Sequence, residues 1–306
     1  MRFSLVIATL GRKAELKALL KSLRCQVYQD FEVIVVDQNS PDYLADIRTL
    51  HNSSFSHLVW RYVDFKAANL ARNLGLDEAQ GDVITFVDDD CEYMPDTLKT
   101  VALLFKQHPE CTVLTGKAQD KASGQDSMAQ WPEKETSVRM RNVLTLSLEF
   151  TTFYRREALL EERLDPFFGP GTRFGSREGP DLMLRLLYRG RIMHYSPSIC
   201  LYHPDKFTNI SDPAFLQRTE SYEQGFGALL AKHLRLKQSP SAISMLIWHV
   251  VLHGGLGLAK NALLLRSAKV RFWRLLLRSR VTGFSEYMTT RHLQMNRSNP
   301  SNTFCQ

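Results

Sequence analysis

The 306-residue chain is poor in cysteine, and its five cysteines make no pattern that chemistry can use. Cys25, Cys91, Cys111, Cys200 and Cys305 are odd in number and scattered, with no CxxC pair. This excludes a zinc ribbon and a disulfide framework and points to a reducing compartment. The first residues are not expected to form a secretory signal. Phe3 to Leu10 is apolar behind Arg2, but no small-residue cleavage site follows and Arg12 and Lys13 come too early, so the segment reads as a first strand. Acidic residues are nearly absent from the last quarter. After Leu230 a single acid, Glu286, faces 12 Lys and Arg, whereas the first 230 residues hold 27 bases and 31 acids. The net charge of +7 therefore belongs to the tail, and no nucleic-acid motif accompanies it.

The most informative segment present is VITFVDDD, Val83 to Asp90, an apolar run that ends in three adjacent carboxylates. Open α/β sheets bind ligands at the carboxyl ends of their strands, and hard cations take carboxylate oxygens there. Three like charges side by side repel, so the cluster asks for a cation or strong donors. The plainer reading is a solvated acidic turn before a helix that begins near Pro95.

Upstream segments have the same design. Phe3 to Ala8 leads through Thr9, Leu10 and Gly11 into a helical pattern with Leu16, Leu19, Leu20 and Leu23. Phe31 to Val36 ends at Asp37, with turn residues Asn39, Ser40 and Pro41 before a helix around Tyr43 to Leu50. Leu58 to Val63 closes on Asp64, and Ala67 to Ala79 has helical composition. Alternation at this spacing predicts an α/β fold with a mostly parallel, Rossmann-like sheet, right-handed crossovers and helices on both faces. Thr9, Asp37, Asp64 and Asp88 then fall on one sheet edge, which is the predicted site.

SLVIATLGR, FEVIVVDQNS, AANLARNLGLDEAQGDVITFVDDD and EGPDLMLRLLYRG followed by His203 together resemble the inverting glycosyltransferases of family 2, across about the first 205 residues. The resemblance implies the GT-A nucleotide-sugar-binding fold. It implies that Thr9, Gly11, Asp37, Asp64 and Arg72 surround the base and ribose of a UDP- or GDP-type donor. Asp88 to Asp90 match the DXD-type element, with Asp88 and Asp89 toward the nucleotide and Asp88, Asp90 and His203 toward Mg²⁺ or Mn²⁺. A lone histidine is more often a satisfied side chain than a ligand. The implied organisation is a nucleotide-sugar-binding half over 1–116, an acceptor-binding and catalytic half over 117–212, and a helical, basic region over 213–306.

Displacing a diphosphate from an anomeric carbon builds charge that a divalent cation stabilises, and the incoming hydroxyl needs a base on the opposite side. In the family that base lies in a Glu-Asp pair two residues before another Asp at a helix start. Glu178 matches the first acid and Asp181 the last, but Gly179 stands where the pair has its Asp. Glu178 is the first candidate and Asp181 the second; Asp181 can equally serve the first turn of a helix Asp181 to Tyr188. Phe167 to Gly179 contains Gly169, Gly171, Gly175, Gly179 and Pro170, and reads as a mobile loop over the acceptor, with Arg173 and Arg177 available for an anionic group.

In the tail, the uncharged run Ala242 to Ala259 precedes a helix, Ser267 to Arg280, with Val270, Trp273 and Leu277 on one face and Arg271, Arg274 and Arg278 on another. This is the pattern of a helix lying in an anionic membrane surface. A single span would separate the catalytic part from the bases after Leu265, since both favour the cytosolic side. Docking in the interface satisfies both, while a span and a core or oligomer helix stay as alternatives. The expected place is the cytoplasm, peripheral on the inner face of the cytoplasmic membrane. The many spans and QxxRW element of processive family members are absent, so the resemblance is to enzymes that add one sugar to a lipid-linked or oligosaccharide acceptor. Two other classes compete: a nucleotidyltransferase, for which ATLGRK is a short phosphate loop, and a silent adaptor that has kept the fold.

Overall fold

A computed structural model of the chain describes residues 1–52, 54–204, 212–236, 240–248, 252–264 and 267–290. It divides into two compact units, Met1–Arg173 with Glu178–Thr208, and Phe174–Arg177 with Asn209–Gln306. The two halves expected at 1–116 and 117–212 both fall largely within the first unit.

The first unit opens with β1 (Phe3–Thr9), α1 (Lys13–Arg24), β2 (Phe31–Asp37), α2 (Ala45–Asn52), β3 (Leu58–Tyr62), α3 (Ala68–Glu78) and β4 (Val83–Asp88). It continues with β5 (Glu92–Tyr93), α4 (Thr97–Gln107), β6 (Val113–Gln119) and β7 (Thr136–Ser137). A 3₁₀ turn, Glu149–Thr151, leads into β8 (Thr152–Arg155), then α5 (Arg156–Leu159), α6 (Glu178–Tyr188) and β9 (Met193–Tyr202). Among the described residues the strands form one sheet in the order β3-β2-β1-β4-β8-β6-β9-β5, with β7 beside β9. The pairs from β3 to β4 are parallel, as the alternation predicts, and so is β6 with β9. The antiparallel insertion of β8 between β4 and β6 had no sequence signal.

The continuous apolar strand runs follow from burial on both faces. Phe3, Leu5, Ile7, Val33, Val35, Val83 and Val87 pack with Leu16, Leu19, Leu20 and Leu23 of α1, Ile47 of α2 and Leu98, Val101 and Phe105 of α4. The alternate strand residues face α3, where Gly75 lies against Val6, Ile34 and Val36. Register then sets the site: Thr9 pairs with Asp37, and Ala8 with Asp88, so the polar ends of β1, β2 and β4 are level.

The second unit is helical, with α7 (Pro213–Arg235), α8 (Pro240–Ile247), α9 (His253–Leu263) and α10 (Ser267–Thr289). α7 and α10 meet at Gly227 and Gly283, where a Cβ would overlap the carbonyl oxygens of Arg280 and Gln224 respectively. The run Ala242 to Ala259 is shared between α8 and α9, with 249–251 outside the described residues. No helix among the described residues is long and apolar enough to cross a membrane. The face of α10 expected to enter a bilayer is partly used inside the unit, because Trp273 lies against Gly257 and Leu277 against Gly254. Arg271, Arg274 and Arg278 are exposed, as the spacing predicts. Exposed apolar side chains sit elsewhere, at Ile247, Trp248, Leu252, Leu256 and Leu263.

Candidate active site

The three strand-end carboxylates are each held differently. Asp88, the last residue of β4 and 28% exposed, pairs with Nη2 of Arg72 from α3. Asp89 turns inward, where Oδ2 accepts a hydrogen bond from Thr9 Oγ1 at 2.8 Å. Arg12 enters between Asp89 and Asp90, its Nη1 lying 2.7 Å from Asp89 Oδ1 and 2.8 Å from Asp90 Oδ2. The other oxygen of Asp90 is 3.5 Å from His203 Nε2. Burial pushes the Asp89 carboxyl up, opposed by Arg12 and Thr9. The same burial works against the Arg12 charge, yet Asp89 and Asp90 more than offset it and raise the guanidinium pKa. The repulsion expected among adjacent acids is thus relieved by two arginines that enter from other elements.

Arg12 is delivered by a tight turn. Gly11 has φ +72, a left-handed conformation that glycine adopts without a Cβ penalty. Its amide donates to Asn39 Oδ1 at 2.7 Å. Asp37, fully buried at the end of β2, orders that partner: its Oδ1 accepts from the Asn39 amide at 3.0 Å and from Asn39 Nδ2 at 2.8 Å. Its Oδ2 accepts from Trp60 Nε1 at 3.1 Å. The Val63 amide donates to the Asp37 carbonyl at 2.9 Å, which brings the exposed Asp64 to the same edge.

Arg72 is a buried hub. Besides Asp88 it meets Asn69 Oδ1 at 3.2 Å and Glu178 Oε1 at 3.5 Å. Burial alone would lower its pKa, but Asp88, Glu178 and Glu149 together raise it. Glu178 begins α6 and its side chain is 15% exposed. Pro180 is compatible with that first turn, where no intrahelical N–H bond is due. Asp181, the second candidate, is placed in the interior: it is 0% exposed and accepts from Arg185 Nε at 3.0 Å. Arg185 also pairs with the buried Glu162. The Asp181 carboxylate therefore serves an interior ion pair, and Glu178 is the more exposed of the two acids.

The glycine-rich stretch is pinned, where the sequence suggested a mobile loop. Asn69 Nδ2 donates to the carbonyls of Asp165 and Phe168 at 2.9 and 2.8 Å, and Thr172 Oγ1 donates to Gly169 at 2.7 Å. Phe168 is fully buried. Arg173 is exposed at the end of this segment of the first unit. Arg177 belongs to the second unit, where its guanidinium lies 3.3 Å from the centroid of the Phe226 ring.

His203 follows β9, with its ring stacked on Phe150 at 4.7 Å. Its Nδ1 is buried and has no hydrogen-bond partner among the described residues. Ligand atoms of Asp90, Cys91 and His203 lie within 4.8 Å of one another. A carboxylate and an under-used imidazole beside a strand-end acid form a donor set that fits a divalent metal.

Residues 4–178 match the model of the family described as glycosyl transferase family 2. The chain belongs to this family. It is a glycosyltransferase with the GT-A fold. Among its relatives, the GalNAc(5)-diNAcBac-PP-undecaprenol beta-1,3-glucosyltransferase of Campylobacter jejuni is 26% identical, over 55% of this chain and 56% of that protein. The chain thus spans about half the length of this relative. TarS 1-349 of S. aureus, solved in complex with UDP-GlcNAc, superposes with a TM-score of 0.59 at 20% identity, covering 92% of both chains. The mannosyltransferase PcManGT of Pyrobaculum calidifontis, in complex with GDP-Man and Mn²⁺, gives a TM-score of 0.63 at 16% identity, covering 94% of this chain and 87% of that one. These two share the fold.

Sequence reasoning missed three residues of this cluster. Arg12 stood in the quoted SLVIATLGR but had no assigned role. Asn39 was read only as a turn residue. Glu149 had no signal at all: an isolated acid, it reaches the Arg72 cluster from the turn before β8.

Proposed function

We propose that this glycosyltransferase moves one sugar, with inversion, from a UDP- or GDP-type donor to a lipid-linked or oligosaccharide acceptor. The observation that carries the reading is the convergence of Thr9, Arg12, Arg72, Asp88, Asp89, Asp90 and His203 at one end of parallel strands. In this reading Thr9, Gly11, Asp37, Asp64, Arg72, Asp88 and Asp89 bind the nucleotide sugar. Asp88, Asp90 and His203 would hold Mn²⁺ or Mg²⁺, and the imidazole suits Mn²⁺ better, because Mg²⁺ prefers oxygen donors. A cation bound there supplies Lewis-acid stabilisation of the departing diphosphate.

Glu178 is the proposed base. The acceptor oxygen bonds to the anomeric carbon as the carbon–oxygen bond to the diphosphate breaks, the diphosphate keeps that electron pair, and the hydroxyl proton passes to Glu178. Arg72, shared between Asp88 and Glu178, fixes the spacing between donor-binding and proton-accepting groups. Exposed Arg173 is the proposed contact for an anionic acceptor group. A lipid-linked acceptor agrees with the name of the Campylobacter relative, which carries an undecaprenol diphosphate.

Peripheral membrane docking belongs to the same proposal. Trp248 just after α8, Leu252 just before α9, and Leu256 and Leu263 on α9 offer exposed apolar surface, and Arg271, Arg274 and Arg278 offer charge. His253, Lys260, Lys269 and Trp273 also line an open cavity of about 430 Å³ beside them.

The test is release of nucleoside diphosphate from a panel of nucleotide sugars, with and without Mn²⁺. One donor should be turned over in a chelator-sensitive way, and Asp90→Ala should lose that activity together with metal-dependent nucleotide binding. Full activity of the variant in chelator would refute the metal role. No turnover of any donor would favour the silent adaptor.

A further inference from the structure

Position 179 lacks a side chain, and a carboxyl group from elsewhere in the chain occupies the space beside it. A Cβ built on Gly179 would overlap the Ser147 carbonyl oxygen and lie 3.0 Å from Glu149 Oε1. The Ser147 backbone, two residues before the 3₁₀ turn Glu149–Thr151, therefore occupies the volume that any side chain at 179 would need, and the Glu149 carboxyl lies at its edge. Glu149 is 5% exposed and its carboxyl accepts a hydrogen bond from Tyr154 Oη at 3.2 Å. A buried carboxyl is costly unless something in its surroundings uses it. The surroundings are the hub already described: Arg72 from α3, Asp88 at the end of β4 and Glu178 at the start of α6 all act electrostatically on Glu149.

We propose that Glu149 completes the acid pair of the active site. Its carboxyl takes the place of the acid that position 179 lacks, and it is a positioning residue that acts on Glu178 through Arg72. Arg72 lies 3.5 Å from Glu178 Oε1 and also acts electrostatically on Glu149, so the charge of one carboxylate is felt at the other. When Glu149 is ionised it competes with Glu178 for Arg72, so Glu178 keeps more of its basicity for the acceptor proton. Protonation of Glu149 removes that competition. Burial pushes the Glu149 carboxyl up to about 8, against the pull of Arg72 and with Glu178 and Asp88 adding to the rise, which puts this switch in a working pH range.

The inference rests on Glu178 as base, and the experiment separates the two. The full chain, with its active donor, is compared as wild type, Glu149→Gln, Glu149→Asp, Tyr154→Phe and Glu178→Gln, following kcat and donor KM across pH. Glu149→Gln keeps shape and hydrogen-bonding capacity, so a purely space-filling role predicts no change. The pairing role predicts a kcat lower by about tenfold or more with donor KM unchanged, partial recovery in Glu149→Asp, and loss of the rise in rate through about pH 8. Tyr154→Phe keeps the carboxyl and removes a donor to its ionised form, so that rise should move to higher pH. It supplies the readout if Glu149→Gln does not fold. Wild-type kcat and pH profile in both Glu149→Gln and Tyr154→Phe would overturn the inference alone. An unaffected Glu178→Gln would overturn Glu178 as base and the inference with it.

Discussion

The sheet-bearing unit and the helical unit place charge in opposite ways. In the first, Asp89, Asp90, Arg72 and Glu149 are buried, and carboxylates from the end of β4, the residues after it and the start of α6 pair with arginines from α1's approach and from α3. In the second, Arg271, Arg274 and Arg278 stand in solvent along α10, and an interior pair joins Arg280 to Glu223. Buried charges are tied to named partners and cost stability when one partner is removed; exposed charges act at a distance and are screened by salt. The contrast is between charges held in fixed pairs and charges left to solvent.

The sharpest way to break the comparison is to remove the hub. Arg72→Met should leave Asp88, Glu178 and Glu149 without their common cation, destabilising the chain by about 3–5 kcal/mol in chemical denaturation and abolishing transfer. Stability within about 1 kcal/mol of wild type would mean that these acids do not depend on Arg72.

Glu178→Gln tests function at the same place with little structural cost. The rate should fall by about 10² to 10⁴ with donor binding preserved, and Asp181→Asn should instead lower stability, since Asp181 serves Arg185 inside the unit. A larger rate loss in Asp181→Asn, with the fold intact, would return the base to that position.

Glu149 gives a smaller and pH-dependent effect. Its folded pKa of about 8 lies above the ordinary carboxyl value of 4.5, so the folded chain holds a proton that the unfolded chain releases between those two values. Stability contributed by the neutral form is complete below pH 4.5 and is lost as pH rises toward about 8. Urea denaturation at pH 5 and 8 should show this decline in the wild type and a flatter profile in Glu149→Gln.

On the helical unit the effects should be smaller again and sensitive to salt. Replacing Arg271, Arg274 and Arg278 with Gln should weaken binding to anionic vesicles by about 1 kcal/mol per charge at low salt, with no change in donor turnover. Leu252→Ser with Leu256→Ser should remove a salt-resistant part instead. Equal vesicle binding by all variants in a sedimentation assay would exclude this unit as the membrane anchor.

Much of the parallel half was legible because β1, β2 and β4 are buried on both faces and so read as apolar runs with polar ends. Their register needs no further information once the crossovers are short, which is why Thr9, Asp37 and Asp88 were assigned to one edge from the sequence. Partners supplied across the fold were not legible. Arg12 meets Asp89 from 77 positions away, and nothing local distinguishes it from a helix-capping base. Glu149 reaches Gly179 because β8 enters the sheet antiparallel beside β4, a placement with no periodic signature. The reading of α10 as a helix lying in a membrane surface left one partner unread for a related reason: a hydrophobic stripe says that a face is covered without saying what covers it, and here α9 covers part of it.

The sequence by itself determined the alternating architecture, the acidic strand end and the basic tail, because periodicity and composition are local properties of the chain. Only the tertiary structure decided which arginine neutralises which acid, which of Glu178 and Asp181 faces outward, and which group fills the space beside Gly179. Those choices depend on side-chain distances between segments far apart in sequence, where a shift of one residue in register would exchange a buried partner for an exposed one.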